Sequence, residues 1–284
     1  MESLAVDIWR GGEQGRFERY RVPRLSNQTV LDVVSYVQQH LDSTLAYRFA
    51  CRVGMCGSCT MTVNGVPRWT CRTHVERVAG TKTLTIEPLR NFPVIKDLVC
   101  DVSEFFDKLA QAGGYFRPTR TRNDELAVVP PDTLERARVD EAIECIGCGA
   151  CYASCAVEAM DPRYLGPAAL NRIWTLLNDV RDGAGAHRLI VAAGAGGCHS
   201  CKTLMSCTDL CPKRIPLTAS IAGLKRATVP GLLGPGVARR HDRAGSDGPA
   251  AGTSGELPAG SGASRQGASR KKGGPSVEDG SKPL

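Results

Sequence analysis

The stretch Cys145-Ile146-Gly147-Cys148-Gly149-Ala150-Cys151-Tyr152-Ala153-Ser154-Cys155 decides how the chain is read. Its spacing, C-x2-C-x2-C-x3-C, puts three thiols on one compact turn and sends a fourth away, the pattern that holds a cubane iron–sulfur cluster and lends a ligand to a neighbouring one. A second cysteine run must therefore lie downstream. It does, as Cys198-His199-Ser200-Cys201-Lys202-Thr203-Leu204-Met205-Ser206-Cys207-Thr208-Asp209-Leu210-Cys211-Pro212. Aligned on Cys201, Cys207 and Cys211-Pro212, this run lacks only its second cysteine, where Leu204 stands. Leucine cannot bind iron, so one cubane corner is left unligated and the expected product is a three-iron [3Fe–4S] cluster. The crossover rule then assigns Cys145, Cys148, Cys151 and Cys211 to a [4Fe–4S] cluster, and Cys155, Cys201 and Cys207 to the [3Fe–4S] cluster. Cys198 is itself spaced C-x2-C with Cys201, and His199 between them could ligate. Shifting the register to Cys198 spoils the spacing to Cys207, so Cys198 is read as a bystander.

A third site of another type lies nearer the N-terminus. Cys51-Arg52-Val53-Gly54-Met55-Cys56-Gly57-Ser58-Cys59, with Cys71 beyond, reads C-x4-C-x2-C…C, the plant-type spacing for a [2Fe–2S] cluster. Such a loop must wind round a flat two-iron rhomb and aim backbone N–H groups at sulfur, and Gly54 and Gly57 allow the backbone this needs. The competing reading is a zinc knuckle or a set of buried thiols. Zinc sites usually pair two C-x2-C arms, and the C-x4-C arm argues against that. Cys100 stands alone in an apolar stretch and is read as a small core residue.

The surrounding sequence supplies scaffolding. Residues 4–9 and 16–22 alternate apolar and polar as half-buried strands do, with Gly11-Gly12 between them. Val30, Val33, Val34, Val37 and Leu41 follow helical spacing behind Asn27 or Thr29 as cap. Residues 60–63 and 66–69 flank Asn64-Gly65, a type I′ hairpin signal, and residues 83–87 supply another strand. From Phe92 to Leu109 the apolar residues recur at helical spacing. Residues 117–131 read as a polar connector, and a short helix over about 132–144, with Thr133 as cap, leads into the first cubane cysteines. Pro167 suits a first helical turn ahead of Ala168, Leu170, Ile173, Trp174 and Leu177, and a further helix follows Pro216 with Ile221 and Leu224 on one face. The Gly194–Gly197 stretch lacks the following helix of a dinucleotide loop and reads as a flexible loop. The fold class is therefore α+β: a plant-type ferredoxin-like (β-grasp) domain over residues 1–110, then an all-α bacterial-ferredoxin-like domain over 111–235. Residues 236–284, rich in Gly, Pro, Ser and charge, read as a disordered tail.

Composition narrows the function. The 284 residues include 13 cysteines and a formal charge of +7. The opening residues lack the apolar run of a secretory leader, so grouped cysteines read as metal ligands rather than disulfides. No stretch approaches the roughly 18–20 apolar residues of a membrane span, so membrane work would need a partner. Residues 237–284 hold eight Lys/Arg against five Asp/Glu, a surplus of three; no basic face with stacking aromatics suggests nucleic acid. No Ser/His/Asp set or carboxylate pair suggests acid–base or covalent catalysis, and His74, His187 and His199 read as surface or loop residues.

Three motifs in this order resemble the iron–sulfur subunit of succinate dehydrogenase and fumarate reductase. The resemblance rests on the Cys51–Cys59 loop, the Cys145 run, Leu165-Gly166-Pro167-Ala168-Ala169-Leu170, and Cys207-Thr208-Asp209-Leu210-Cys211-Pro212-Lys213, and covers residues 1 to about 230. It implies an FAD-containing flavoprotein partner, where succinate and fumarate interconvert, and a membrane-anchor subunit of cytochrome b type with a quinone. Electrons would pass singly from flavin through [2Fe–2S], [4Fe–4S] and [3Fe–4S] to the quinone. It also implies a peripheral position on the cytoplasmic face of a bacterial inner membrane. The chain departs from the family at Ala156, where Pro is common, at Val157–Met160, which has no Trp, and at Lys202, often His in ubiquinone-reducing members. These departures leave room for menaquinone as the quinone. A rival reading is the electron-transfer subunit of another flavoenzyme, of glycolate- or heterodisulfide-type; those often keep full cysteine sets, and Leu204 favours the first reading.

Overall fold

Alternating apolar residues build the first sheet. The computed structural model describes residues 3–79 and 83–232. Strand β1 (Ser3–Arg10) pairs antiparallel with β2 (Arg16–Pro23), and its inward Leu4, Val6 and Ile8 are buried. Helix α1 (Val30–Tyr36) covers the sheet through Val30, Val33 and Val34, and continues as a π turn over Val37–Leu41. Thr29 is its cap: its hydroxyl accepts from the Asp32 N–H while the Asp32 carboxylate accepts from the Thr29 N–H, a reciprocal capping box. Strands β3 (Thr60–Val63) and β4 (Val66–Trp69) form the expected hairpin, with Asn64 and Gly65 both at positive φ (49° and 77°). After the short helix α2 (Val75–Val78), strand β5 (Leu84–Glu87) enters between β1 and β3, parallel to the first and antiparallel to the second. The sheet order is β2-β1-β5-β3-β4.

The helical reading of Phe92 to Leu109 needs correction in its first half. A small hairpin, β6 (Val94–Lys96) and β7 (Val99–Cys100), precedes α3 (Ser103–Gln111). Pro93 discourages helix before it, and Asp97 sits at φ 53° in the hairpin turn. Its carboxylate, buried in the protein, accepts from the Gly11 N–H at 2.7 Å and the Ala46 N–H at 2.8 Å, and lies 3.2 Å from Arg10 Nε. These tertiary bonds outweigh the apolar spacing.

The helical half follows. Helix α4 (Leu134–Val139) is capped by Thr133 and ends in a 3-10 turn at Ala142–Glu144. Short helices α5 (Ala150–Ala153) and α6 (Ala156–Met160) occupy the first cubane run. Helix α7 (Gly166–Leu177) carries Pro167 in its first turn and packs against α8 (Gly185–Ala193) and, beyond α9 (Ser206–Asp209), α10 (Leu217–Leu232). Gly223 lets α10 close on Trp174, since a Cβ there would meet that ring at 2.5 Å. Helix α8 was not foreseen. Nor is the Gly194–Gly197 loop loose: Gly196 is buried at φ +76°, its carbonyl accepts from the Leu165 N–H at 2.8 Å, and a Cβ there would lie 1.9 Å from the Arg163 carbonyl oxygen. The expected tail at 236–284 lies outside the described residues.

Asp97→Ala is expected to destabilise the protein by about 2–4 kcal/mol, because two backbone donors and part of the Arg10 charge lose a buried acceptor. The denaturation midpoint of the purified variant checks this.

Candidate iron–sulfur sites

All thirteen cysteines are free thiols, and the structure sorts eleven of them into three groups. In the first group the Cys51–Cys59 loop folds on itself. Val53 and Met55 donate backbone N–H groups to Cys51 Sγ at 3.4 and 3.3 Å, and Cys51 donates to Cys56 Sγ at 3.5 Å. Gly54 and Gly57 take positive φ (74° and 71°), so N–H groups can turn toward sulfur as this loop type requires. Ser58 and the Cys51 N–H bond the Cys56 thiol and draw its pKa down to about 6. Cys71 arrives from the 3-10 turn after β4; burial and the adjacent Cys59 sulfur push it up to about 11.

The second group joins both ends of the helical half. Burial pushes up the Cys145, Cys148 and Cys151 thiols, with Cys148 at about 11, and the Cys211 sulfur acts on all three. Gly149, at φ +76°, starts α5 and lies so close to Phe92 that a Cβ would sit 3.0 Å from the ring. The third group brings Cys155 beside Cys201 and Cys207; burial raises Cys155 and Cys207, and Cys201 acts on both. Thr203 donates its N–H to Cys201 Sγ at 3.4 Å, with Thr203 and Met205 in left-handed backbone (58° and 65°). Leu204 between them is 59% exposed. Cys211 is near enough to act on the Cys145 run and Cys201 near enough to act on Cys155, while Cys207 also acts on Cys151, so the two runs share one crowded interior.

The two cysteines left out of the proposed sets differ in their surroundings, Cys198 lying in the core against which Cys155 and Cys201 pack and within reach of the Cys201 sulfur. Cys198 is fully buried and faces the Thr228 hydroxyl at 3.8 Å, and Cys100 faces the Leu89 carbonyl at 3.7 Å. His199 Nε2 bonds the same Thr228 at 2.9 Å, while His187 is exposed. Among the described residues no three Cys, His, Asp or Glu side chains converge on a single-ion point.

The donor set fits iron–sulfur clusters. Each group is all thiol, crowded enough for its sulfurs to repel one another when charged, and each turns backbone N–H groups toward sulfur. Several polar neighbours carry no sequence pattern and were missed: Ser58 at Cys56, Thr60 near Cys148, Thr218 at 3.8 Å from Cys207 Sγ, and Lys225, whose Nζ bonds the Cys201 carbonyl at 2.8 Å. The first and second groups also meet. A Cβ on Gly57 would lie 2.7 Å from Cys148 Cα, and Asn91 Nδ2 donates across the joint to the Tyr152 and Cys155 carbonyls at 2.9 and 3.0 Å.

Fold and sites define an iron–sulfur electron-transfer protein with two ferredoxin-type domains. Comparison with known families matches residues 5–107 to a 2Fe-2S iron-sulfur cluster binding domain and residues 141–215 to a 4Fe-4S dicluster domain. The fumarate reductase iron–sulfur subunit of Mycobacterium tuberculosis is 38% identical over 228 residues, 75% of this chain and 90% of that one. That of Haemophilus influenzae is 32% identical over 221 residues, 74% and 85% respectively. A chain of the Mycobacterium smegmatis Sdh1 complex in the apo form superposes with a TM-score of 0.74 at 28% identity, covering 83% of this chain and 99% of its own. The chain belongs to the family of iron–sulfur subunits of succinate dehydrogenase and fumarate reductase.

Gly57→Ala is expected to cost about 1–2 kcal/mol in backbone strain alone, beyond the collision with Cys148, whereas Gly12→Ala, which meets nothing within 4 Å, should be close to neutral. Thermal unfolding together with iron content of the two variants tests the contrast.

Proposed function

We propose that this chain carries single electrons between the FAD of a flavoprotein subunit and a membrane quinone. In this reading Cys51, Cys56, Cys59 and Cys71 hold a [2Fe–2S] cluster. Cys145, Cys148, Cys151 and Cys211 hold a [4Fe–4S] cluster, and Cys155, Cys201 and Cys207 a [3Fe–4S] cluster. The observation that carries it is the nearness of Cys211 to the Cys145 run and of Cys155 to Cys201, with Leu204 standing where a fourth cysteine would complete the second run.

Such clusters, when bound, take up and release one electron at a time with potentials set by ligands, hydrogen bonds and burial. The chain's own residues supply the rest. Backbone N–H groups of Val53, Met55 and Thr203 stand ready to stabilise charge on sulfur. Buried apolar side chains, Phe92 and Phe105 among them, exclude water near the second group. The contact of Gly57 with the Cys148 backbone brings the first two groups together, so that a charge need not cross solvent.

The partners in this reading are a flavoprotein for dicarboxylate chemistry and a membrane-anchor subunit of cytochrome b type; the relatives' names as subunits of fumarate reductase and succinate dehydrogenase support membership of such a complex. Among the described residues no helix is long and apolar enough to cross a membrane, in keeping with attachment through an anchor. The proposed location is the cytoplasmic face of a bacterial inner membrane, with menaquinone as the quinone in view of Lys202 and the Trp-free Val157–Met160 segment.

EPR of the anaerobically isolated complex tests the reading. A [3Fe–4S] signal in the oxidised state and a [2Fe–2S] signal on reduction are expected; colourless protein without acid-labile sulfide would sink it. Leu204→Cys should abolish most of the oxidised-state signal by completing a fourth corner. Cys198→Ser should leave it intact and Cys201→Ser should remove it; the reverse pattern would reassign the third ligand set.

A further inference from the structure

Tyr164, beside the third thiol group, carries a buried hydroxyl without a hydrogen-bond partner. The side chain is fully buried, and its hydroxyl is one of the few buried polar atoms in the described residues that lack a hydrogen-bond partner. Leaving a phenol unpaired in an apolar interior is costly, and such groups usually mark a missing partner. The surroundings say which partner. Cys155 and Cys201 pack against the buried cluster that contains Tyr164; burial first, and then the neighbouring Cys201, Cys155 and Cys207 sulfurs, keep the proton on its phenol. It is also held in place: its N–H bonds the Asp161 carbonyl at 3.0 Å, the next N–H bonds Gly196, and the Gly196 backbone closes against Arg163.

We infer that the Tyr164 hydroxyl donates a hydrogen bond to anionic sulfur of the cluster held by Cys155, Cys201 and Cys207, and so raises that cluster's reduction potential. The inference rests on the ligand set proposed above. Its physical basis is that a reduced cluster carries one more negative charge than an oxidised one. A donor fixed at sulfur therefore favours the reduced state. The phenol keeps its proton and acts as a positioning residue that tunes the acceptor.

Tyr164→Phe in the assembled complex removes only the hydroxyl. The oxidised [3Fe–4S] EPR signal should persist while its midpoint potential falls, by up to about tenfold in the one-electron equilibrium, or about 59 mV. Incorporating 3-fluorotyrosine makes the phenol a stronger donor in a ring of nearly the same shape. It should raise the potential in the parent complex and do nothing in the Tyr164→Phe background, so the other five tyrosines serve as internal controls. An unchanged potential in both experiments overturns the inference. If Tyr164→Phe fails to assemble, the fluorotyrosine shift in the parent complex decides alone. Absence of a [3Fe–4S] signal from the parent complex would instead overturn the ligand assignment.

Discussion

The constraint on which the helical half depends is that thiols far apart in sequence must lie side by side in the interior without bonding to one another. Cys211 reaches back across more than fifty residues to the Cys145 run, and Cys155 reaches forward to Cys201 and Cys207. No disulfide holds them. What brings them together is helix packing. Helix α7 lies against α8 and α10, Gly223 yields to Trp174, and Asn171 ties the bundle to the loop before Cys145 through the Ala142 carbonyl at 2.9 Å. The cost of crowding shows in Cys145, Cys148, Cys151, Cys155 and Cys207, which burial and their neighbours shift upward. Iron, when bound by these thiols, would offset that cost by displacing the protons and sharing the sulfur charge.

A second constraint joins the two halves. The first thiol group sits on a loop of the sheet domain, yet its Gly57 touches the backbone of Cys148 in the second. Glycine is needed there twice, for the positive φ and for the missing Cβ. Asn91 fixes the same joint from the other side by donating to carbonyls at the end of the Cys145 run. A carrier that hands electrons from one group to the next requires such closeness, and the joint is built from backbone contacts that leave little play.

Much of this was legible in the sequence because it is local. Alternation in residues 4–9, the Asn64-Gly65 turn, the Thr29 and Thr133 caps and the cysteine spacings each fix structure within a few residues. The failures are where tertiary partners decide. Val94 to Val99 has helical spacing, but Asp97 collects Arg10 and Gly11 from one distant segment and Ala46 from another and forces a hairpin. The Gly194–Gly197 loop looked free because its constraint, the Arg163–Leu165 backbone, lies thirty residues away. Tyr164 carries no motif at all. Its significance lies in an unpaired hydroxyl, which only three-dimensional packing can reveal.

The two halves also differ in what their cores are made of. The sheet's main core runs from Leu4 to Leu98 without a cysteine. The two cores of the helical half contain Cys100, Cys151, Cys207 and Cys198, with Cys155, Cys201 and Cys211 packed against them. The helices between those thiols are very short: α5 and α9 have four residues each and α6 five. Segments of that length are far too short to be stable alone, so their conformation is imposed by what flanks them. In the sheet domain the cysteine loop hangs on a core that exists without it. In the helical domain the grouped thiols are embedded in or packed against the cores themselves, so the placing of those thiols and the packing of the helices are one structural problem rather than two.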